Sequence, residues 1–315
     1  MKVDSSGLGE QPPHLPVLYH EIMNILAPTS SRVYIDGTLG AGGHAQGILE
    51  ASAPKGKLLG LDLDTEALKI AQRRLAKFGT RVLIRKASYA QAAEIASSLG
   101  WKGVDGIILD LGVSSMQIDQ PQRGFSFQKA GPLDMRFDPE TGRSAADLVN
   151  NCAEAELSDI IWRYGEERFS RRIASAITKA RPIYRTEELA ALVRKVIGNK
   201  RGRIDPSTRT FQALRIAVNQ ELNTLEKALP KLIKYLIPGG MIAIIAFHSL
   251  EDRIVKSFFR YESRDCICPP DQPICTCQHV ASLKILTPHP IRPSDEEASS
   301  NPRARSARLR VAQKL

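Results

Sequence analysis

Residues 32–44, RVYIDGTLGAGGH, constrain the fold more than any other stretch of the chain. A short β-rich run ends on Asp36, and Gly40, Gly42 and Gly43 follow before a helix-like segment over 44–51. Glycines at a strand-to-helix turn let bare backbone approach a ligand, and amides at a helix N-terminus point outward toward it. A second apolar run, KLLGLDL at 57–63, carries Asp62 near its end. That acid follows the glycines by about 20 residues, the distance at which a carboxylate reaches a ribose hydroxyl pair. A tight turn with an ordinary helix-capping Asp is the plainer alternative.

Further strand and helix signals alternate. Residues 65–78 place Leu68, Ala71, Leu75 and Phe78 on one helical face, and 82–85 and 106–111 read as two more strands. Near-continuous apolar runs mark strands buried on both faces, hence a mostly parallel sheet with helices on both sides. The pattern breaks at 112–145, a Gly-, Pro- and Ser-rich stretch that reads as a long functional loop. Helical faces follow at Leu157/Ile160/Ile161/Tyr164 and at Leu189/Leu192/Val193/Val196/Ile197, the latter ended by Gly198. A third helix is expected to run from Phe211 through Leu214, Val218, Leu222 and Leu225 to Leu229. The strand signal returns at 236–247 after a Pro-Gly-Gly turn, and 307–311 alternates as an edge strand with a basic outer side. This gives an α/β domain over 14–118 and 213–315, an inserted helical substrate-recognition domain over 119–212, and a flexible N-terminus over 1–13.

The chain has 315 residues and a formal charge of +10. Residues 160–215 hold 14 Lys or Arg against 5 acids, and 303–315 add five cations and no acid, so the basic character sits in the insertion and the C-terminal stretch. An anionic partner is the expectation. The longest apolar run, 241–247, falls far short of the roughly 20 residues of a membrane span, and no apolar targeting segment is found, so a cytoplasmic protein is expected. Five cysteines in that compartment do not argue for disulfides.

The glycines are set as D-x-x-x-G-x-G, with an acid closing the strand before them, rather than as G-x-G-x-x-G. This arrangement resembles the S-adenosylmethionine loop of class I methyltransferases, in which the acid faces a cationic ligand. The resemblance then narrows. DGTLGAGGH at 36–44, DGIILDLGVSSMQID at 105–119, RGFSF at 123–127, GPLDMR at 131–136, YGEERF at 164–169, TRTFQALRI at 208–216, FHSLEDRIVK at 247–256 and NPRARSARLR at 301–310 are together similar to the ribosomal small-subunit RNA methyltransferase H family. The resemblance covers about 14–310. It implies a class I (Rossmann-like) fold, S-adenosylmethionine as donor, and N4 of a cytidine in the decoding region of 16S ribosomal RNA, free or in the small subunit, as acceptor. It also implies cofactor contacts at Gly42, Gly43, His44, Asp62, Tyr89, Asp110 and Gln117. Tyr89 stands where relatives also carry Phe, which a stacking role tolerates. Monomer or homodimer stays open.

An exocyclic cytosine amine is a poor nucleophile, because its lone pair is delocalised into the ring. An enzyme must hold it in line and accept a hydrogen bond from it as it pyramidalises. Asp110, at the carboxyl end of the fourth strand, is the natural acceptor, with a purely structural carboxylate as the alternative. DNA amino-methylating enzymes usually show D-P-P-Y there, whereas this chain has DLGVSS. A stacking aromatic must then come from elsewhere: Phe125, Phe127 or His248. His248 is a second catalytic candidate, and Ser249 reads as the cap of the next helix. Arg209, Gln212, Arg215 and Asn219 form a polar stripe that would meet phosphates and base edges, or merely solvent. Cys266, Cys268, Cys275 and Cys277, with His279, lie in one loop. Four thiolates could bind zinc, but C-x-C is tighter than the usual spacing, so a reduced, metal-free loop is the default. Cys152 is expected to be buried.

Overall fold

The computed structural model describes residues 16–198 and 205–315 except Pro270 and Pro273. The expected N-terminal arm over 1–13 and the basic residues Lys200 and Arg201 lie outside the described residues.

Seven strands, β1 (Val33–Asp36), β2 (Lys57–Asp62), β3 (Val82–Lys86), β4 (Val104–Asp110), β5 (Leu236–Ala246), β6 (Leu283–Ile285) and β7 (Arg308–Lys314), form one sheet in the order β3-β2-β1-β4-β5-β7-β6. The first five are parallel, and β7 runs antiparallel between β5 and β6. This is the class I methyltransferase arrangement. Because side chains alternate across a strand, consecutive apolar residues feed opposite cores. Leu59, Ile107, Ile242 and Ile244 pack with helices Ala92–Ser98, Glu221–Tyr235 and Ser249–Glu262. Leu58, Ile108, Ala243 and Ile245 pack with helices Tyr19–Leu26, Gly43–Ala51 and Thr65–Leu75. Each apolar run is continuous because both its faces are covered.

Between β4 and β5 the chain builds a third core from Leu133 to Leu214, with Phe125, Phe127, Ala217 and Val218 packed against it. Its helices are Ala145–Asn151, Glu154–Gly165, Ser170–Ala180, Thr186–Ile197 and Ser207–Asn219. Cys152 is buried there.

Three sequence expectations are corrected. The third helix is two, Ser207–Asn219 and Glu221–Tyr235, broken at Gln220, whose φ of 49° is left-handed. Leu214 joins the insertion core whereas Leu225 and Leu229 join the sheet core, so a single straight helix could not serve both. The C-terminal strand β7 is interior rather than an edge, because β6 pairs with its outer side. Its Arg308 and Arg310 both turn onto Asp252, so they are internal ion pairs rather than a basic rim. The helix after β5 is capped by His248, whose Nδ1 accepts from Glu251 N–H at 3.4 Å, and Ser249 instead donates its hydroxyl to Glu166 Oε2 at 3.0 Å.

Candidate active site

The strand order reverses direction between β1 and β4, and ligands of such sheets bind beyond the carboxyl ends of the strands at that point. Three acids stand there: Asp36 ends β1, Asp62 ends β2 and Asp110 ends β4. The loop between β1 and the next helix is held over them. Gly40 N–H donates to Asp62 Oδ2 at 2.7 Å, Thr38 N–H to Asp36 Oδ1 at 3.2 Å, and Asp110 N–H to the Thr38 hydroxyl oxygen at 2.6 Å. Gly42 has φ of 79°, where a side chain would be strained, and a Cβ on Gly43 would sit 2.5 Å from Pro16 Cγ. The helix behind them begins with Gly43 and His44.

Crowding acids in a buried place raises the energy of their charged forms. Burial pushes the Asp110 carboxyl up to about 8, helped by the charges of Asp36 and Glu251. Burial likewise raises Asp36 to about 7, against the Thr38 N–H and with the charge of Asp62. Asp62 is raised by burial, although the backbone N–H groups of Asp64 and Gly40 oppose it. His44 is pushed down to about 3 by burial, so its ring is neutral.

Neither ring nitrogen of His44, nor Asp110 Oδ1, has a hydrogen-bond partner among the described residues, though all three atoms are buried. His44 Nε2 lies 4.0 Å from Asp110 Oδ2, and the His44 ring stacks on Tyr19 with centroids 6.1 Å apart. The Asp110 side chain keeps 27% of its area exposed, which leaves it reachable from the crevice. Buried polar groups without partners are costly, so these atoms are available to a polar ligand. A sulfonium nucleoside suits the donor set: carboxylates for its positive charge, Asp62 for its ribose, bare backbone at Gly42 and Gly43. Tyr89 follows β3 on a short turn, and its Cβ would be 2.8 Å from any Cβ placed on Gly37.

Residues 11–315, which span this crevice and the insertion, match the MraW methylase family. The chain belongs to the MraW methylase family. It is 51% identical over 303 residues to the ribosomal RNA small subunit methyltransferase H of Dehalococcoides mccartyi, covering 96% of this chain and 87% of that protein. Like-named proteins of Thermomicrobium roseum and a Geobacter species are 50% and 51% identical, each over 96% of this chain and 94% and 98% of theirs. The family resemblance carried by the sequence blocks thus holds along nearly the whole chain.

Gln117 lies in the short helix after β4, buried. Its amide donates to Asp64 Oδ2 at 2.8 Å and its carbonyl accepts from Ser114 N–H at 3.0 Å. Phe125 stacks on Phe137 at 5.7 Å and Phe127 meets Phe211 edge-on at 4.8 Å, so both rings are engaged within the insertion. Of the polar stripe, only Arg209 is exposed, 3.8 Å from Glu167. Gln212 donates to the Tyr164 carbonyl, and Asn219 donates to the carbonyls of Met135 and Arg215 and accepts from Phe137 N–H. The Arg215 guanidinium turns inward onto Glu221, at 2.8 and 2.9 Å. Asn219 therefore fastens the loop at 135–137 to helix Ser207–Asn219, while Gln212 and Arg215 tie that helix to helices Glu154–Gly165 and Glu221–Tyr235.

Behind Asp110 lies a buried charged cluster, of which sequence reasoning named His248 and Arg215 but missed Glu221 and Glu251. Glu221, His248 and Glu251 converge within 4.8 Å, and Arg215 supplies the cation. Burial raises Glu251 but is outweighed by His248 and Arg215, which hold it below the usual carboxylate range. Asp64 and Arg123 were also missed. Asp64 caps helix Thr65–Leu75, and the sequence signal for it was a D-x-D pair, at 62 and 64, opening that helix.

Proposed function

We infer that this protein is an S-adenosylmethionine-dependent methyltransferase of small-subunit ribosomal RNA, modifying N4 of a cytidine. The observation that carries this reading is Asp110 Oδ1: a buried, partnerless carboxylate oxygen at the switch point of a methyltransferase sheet, in a member of the MraW family. When bound, the cofactor supplies an electrophilic methyl group on a cationic sulfur.

The chain's own residues do the rest. Gly42 and Gly43 would let the cofactor approach bare backbone, Asp62 would accept from its ribose hydroxyls, and Tyr89 and His44 would help hold it. Gln117 holds Asp64 and so fixes the floor beneath it. Asp110 as carboxylate accepts a hydrogen bond from the cytosine amine, which localises the nitrogen lone pair as the amine pyramidalises. His248, locked against Glu251, holds the negative charge that sits behind Asp110. Arg209, on the exposed side of helix Ser207–Asn219, meets a phosphate. Phe125 and Phe127 brace the wall of the insertion that faces the RNA. A ribosomal substrate supports a cytoplasmic site of action, and among the described residues no helix is long and apolar enough to cross a membrane.

The test is to incubate the protein with methyl-labelled cofactor and, separately, small ribosomal subunits, naked 16S RNA and DNA, and to identify the product nucleoside. Label in N4-methylcytidine from the ribosomal samples is expected. Label in DNA alone, or in none of the three, overturns the reading.

A further inference from the structure

The loop between helix Ser249–Glu262 and β6 spans residues 263–282, and none of its described residues is buried. It has no helix or strand of its own among the described residues, and Ile274 and Val280 are 76% and 74% exposed. Ordering about 20 residues costs backbone entropy, and no apolar core of the loop's own offsets it here. Yet the loop closes on itself: Ser282 N–H donates to the Glu262 carbonyl at 2.8 Å, and the four cysteines meet at its centre.

Their geometry is that of a ligand set. Cys266 Sγ lies 3.4 Å from Cys275 Sγ and 3.9 Å from Cys277 Sγ, and Cys275 and Cys277 are 3.6 Å apart. Cys268 completes a group whose sulfur atoms all lie within 4.8 Å of one another. A tetrahedron with zinc–sulfur bonds of about 2.3 Å has sulfur–sulfur edges of about 3.8 Å, which these separations match. Backbone amides face the sulfurs, as thiolates require: Ile267 N–H points at Cys277 Sγ at 3.4 Å, and the amides of Thr276 and Cys277 face Cys268. His279 is not among the ligands, because its Nε2 is engaged with the Tyr261 carbonyl at 3.1 Å.

We propose that Cys266, Cys268, Cys275 and Cys277 bind one zinc ion as four thiolates in a closed structural site. The close C-x-C spacing is accommodated because Cys266 meets Cys275 and Cys277 across the loop. With all four positions filled by protein sulfur, the site has no open position for water or substrate. Its place in the fold agrees: Leu283, at the loop's exit and the start of β6, pairs with Lys314, and the neighbouring Gln313 pairs with Met241, whose other partner is Gly106 in the amino half of β4. Asp110 lies at the opposite, carboxyl end of the sheet, so the ion staples the β6–β7 side and takes no part in methyl transfer.

The full chain, purified from zinc-containing medium without chelator, is expected to carry one zinc per chain by elemental analysis. Cobalt loaded in its place is expected to give the intense thiolate-to-cobalt absorption of a tetrahedral sulfur site. Cys266→Ser and Cys277→Ser are expected to lose the metal and lower the thermal midpoint, while methyl transfer per folded molecule stays within about twofold of the parent. Metal-free parent protein with four free thiols overturns the proposal, as does a disulfide among them, iron in place of zinc, or undiminished zinc in a variant with all four changed to Ser. Metal content of the parent is read without any variant, so misfolding of a substituted chain does not blunt the test.

Discussion

Arg123 Nη1 is ion-paired with Asp64 Oδ2, and the same guanidinium donates through Nη2 to the carbonyls of Arg136 and Phe137 at 3.0 and 2.9 Å. One side chain thereby ties the start of the insertion to the acid that caps the helix after β2. The two side chains are only 11% and 5% exposed, so the pair has little water to fall back on. Removing one partner of such a pair leaves an uncompensated buried charge and costs about 3–5 kcal/mol. Arg123→Ala is expected to lose stability of that order in denaturant unfolding and to weaken cofactor binding through the Asp64–Gln117 floor. Loss below about 1 kcal/mol would mean that water replaces the guanidinium.

Asp110 gives a pH signature. With its carboxyl held up to about 8 in the folded chain, against an ordinary value of 3.8, the folded state keeps a proton that the unfolded state releases. The contribution of Asp110 to stability therefore falls as pH rises between about 4 and 8. Asp110→Asn removes that loss, so its thermal midpoint should exceed the parent's by more at about pH 8 than at about pH 5, measured without cofactor. Its methyl transfer should fall by about 10²–10⁴-fold. A midpoint difference that does not change with pH would refute the buried-acid assignment.

The same crevice predicts proton release on cofactor binding. A cationic ligand favours the charged forms of Asp36 and Asp110, whose carboxyls titrate at about 7 and about 8. Affinity for the cofactor should rise with pH between about 6 and 8. Calorimetry in buffers of different ionisation enthalpy should show protons leaving the protein, and no dependence on buffer would count against both acids facing the ligand.

The sheet and the glycine loop between β1 and the helix after it were legible because their signals are local. Strand, glycines, helix and acid follow one another within 36–62, and periodicity within single elements named the main helices of the insertion. The helix break at Gln220 was hidden because the apolar spacing runs unbroken through it, while the two halves serve different cores. The interior position of β7 was hidden because β6 contributes only three residues and its pairing is set by contact across the sheet. The polar stripe of helix Ser207–Asn219 looks solvent-facing in sequence. Only the fold reveals that Arg215 meets Glu221 and that Asn219 meets the loop at 135–137. Partners such as Arg123 and Asp64 are 59 residues apart, so no spacing rule reaches them.

The inward turn of Arg215 separates it from Arg209 in a measurable way. Arg215→Gln removes the guanidinium that faces the buried Glu221 beside Glu251 and is expected to cost about 3–5 kcal/mol of stability. Arg209→Gln should leave stability within about 0.5 kcal/mol, as an exposed substitution does, and raise the KM for RNA. Equal destabilisation by both would show that the Glu167 contact of Arg209 is structural.

The charge of the insertion yields the last prediction. Arg168 and Arg172 lie over the Phe169 ring, at 5.1 and 5.5 Å, and with Arg171 they line a groove that also contains Trp162, 57% exposed. Cations beside an exposed aromatic suit a single-stranded nucleic acid, phosphates going to the arginines and a base to the ring. The C-terminal cations are less free, since Arg303 pairs with Asp119 and Arg308 and Arg310 pair with Asp252. RNA affinity should therefore fall steeply with salt through the insertion. Changing Arg168, Arg171 and Arg172 together to Gln should flatten the log–log salt slope by about 0.7–0.9 for each phosphate that is no longer neutralised. Trp162→Ala should weaken binding by about 1–3 kcal/mol at unchanged slope. Cofactor affinity, which the proposed function assigns to the acids at the carboxyl ends of the strands, should not move in either variant. An unchanged slope in the triple variant would make the basic face of helix Ser170–Ala180 a solvated surface only.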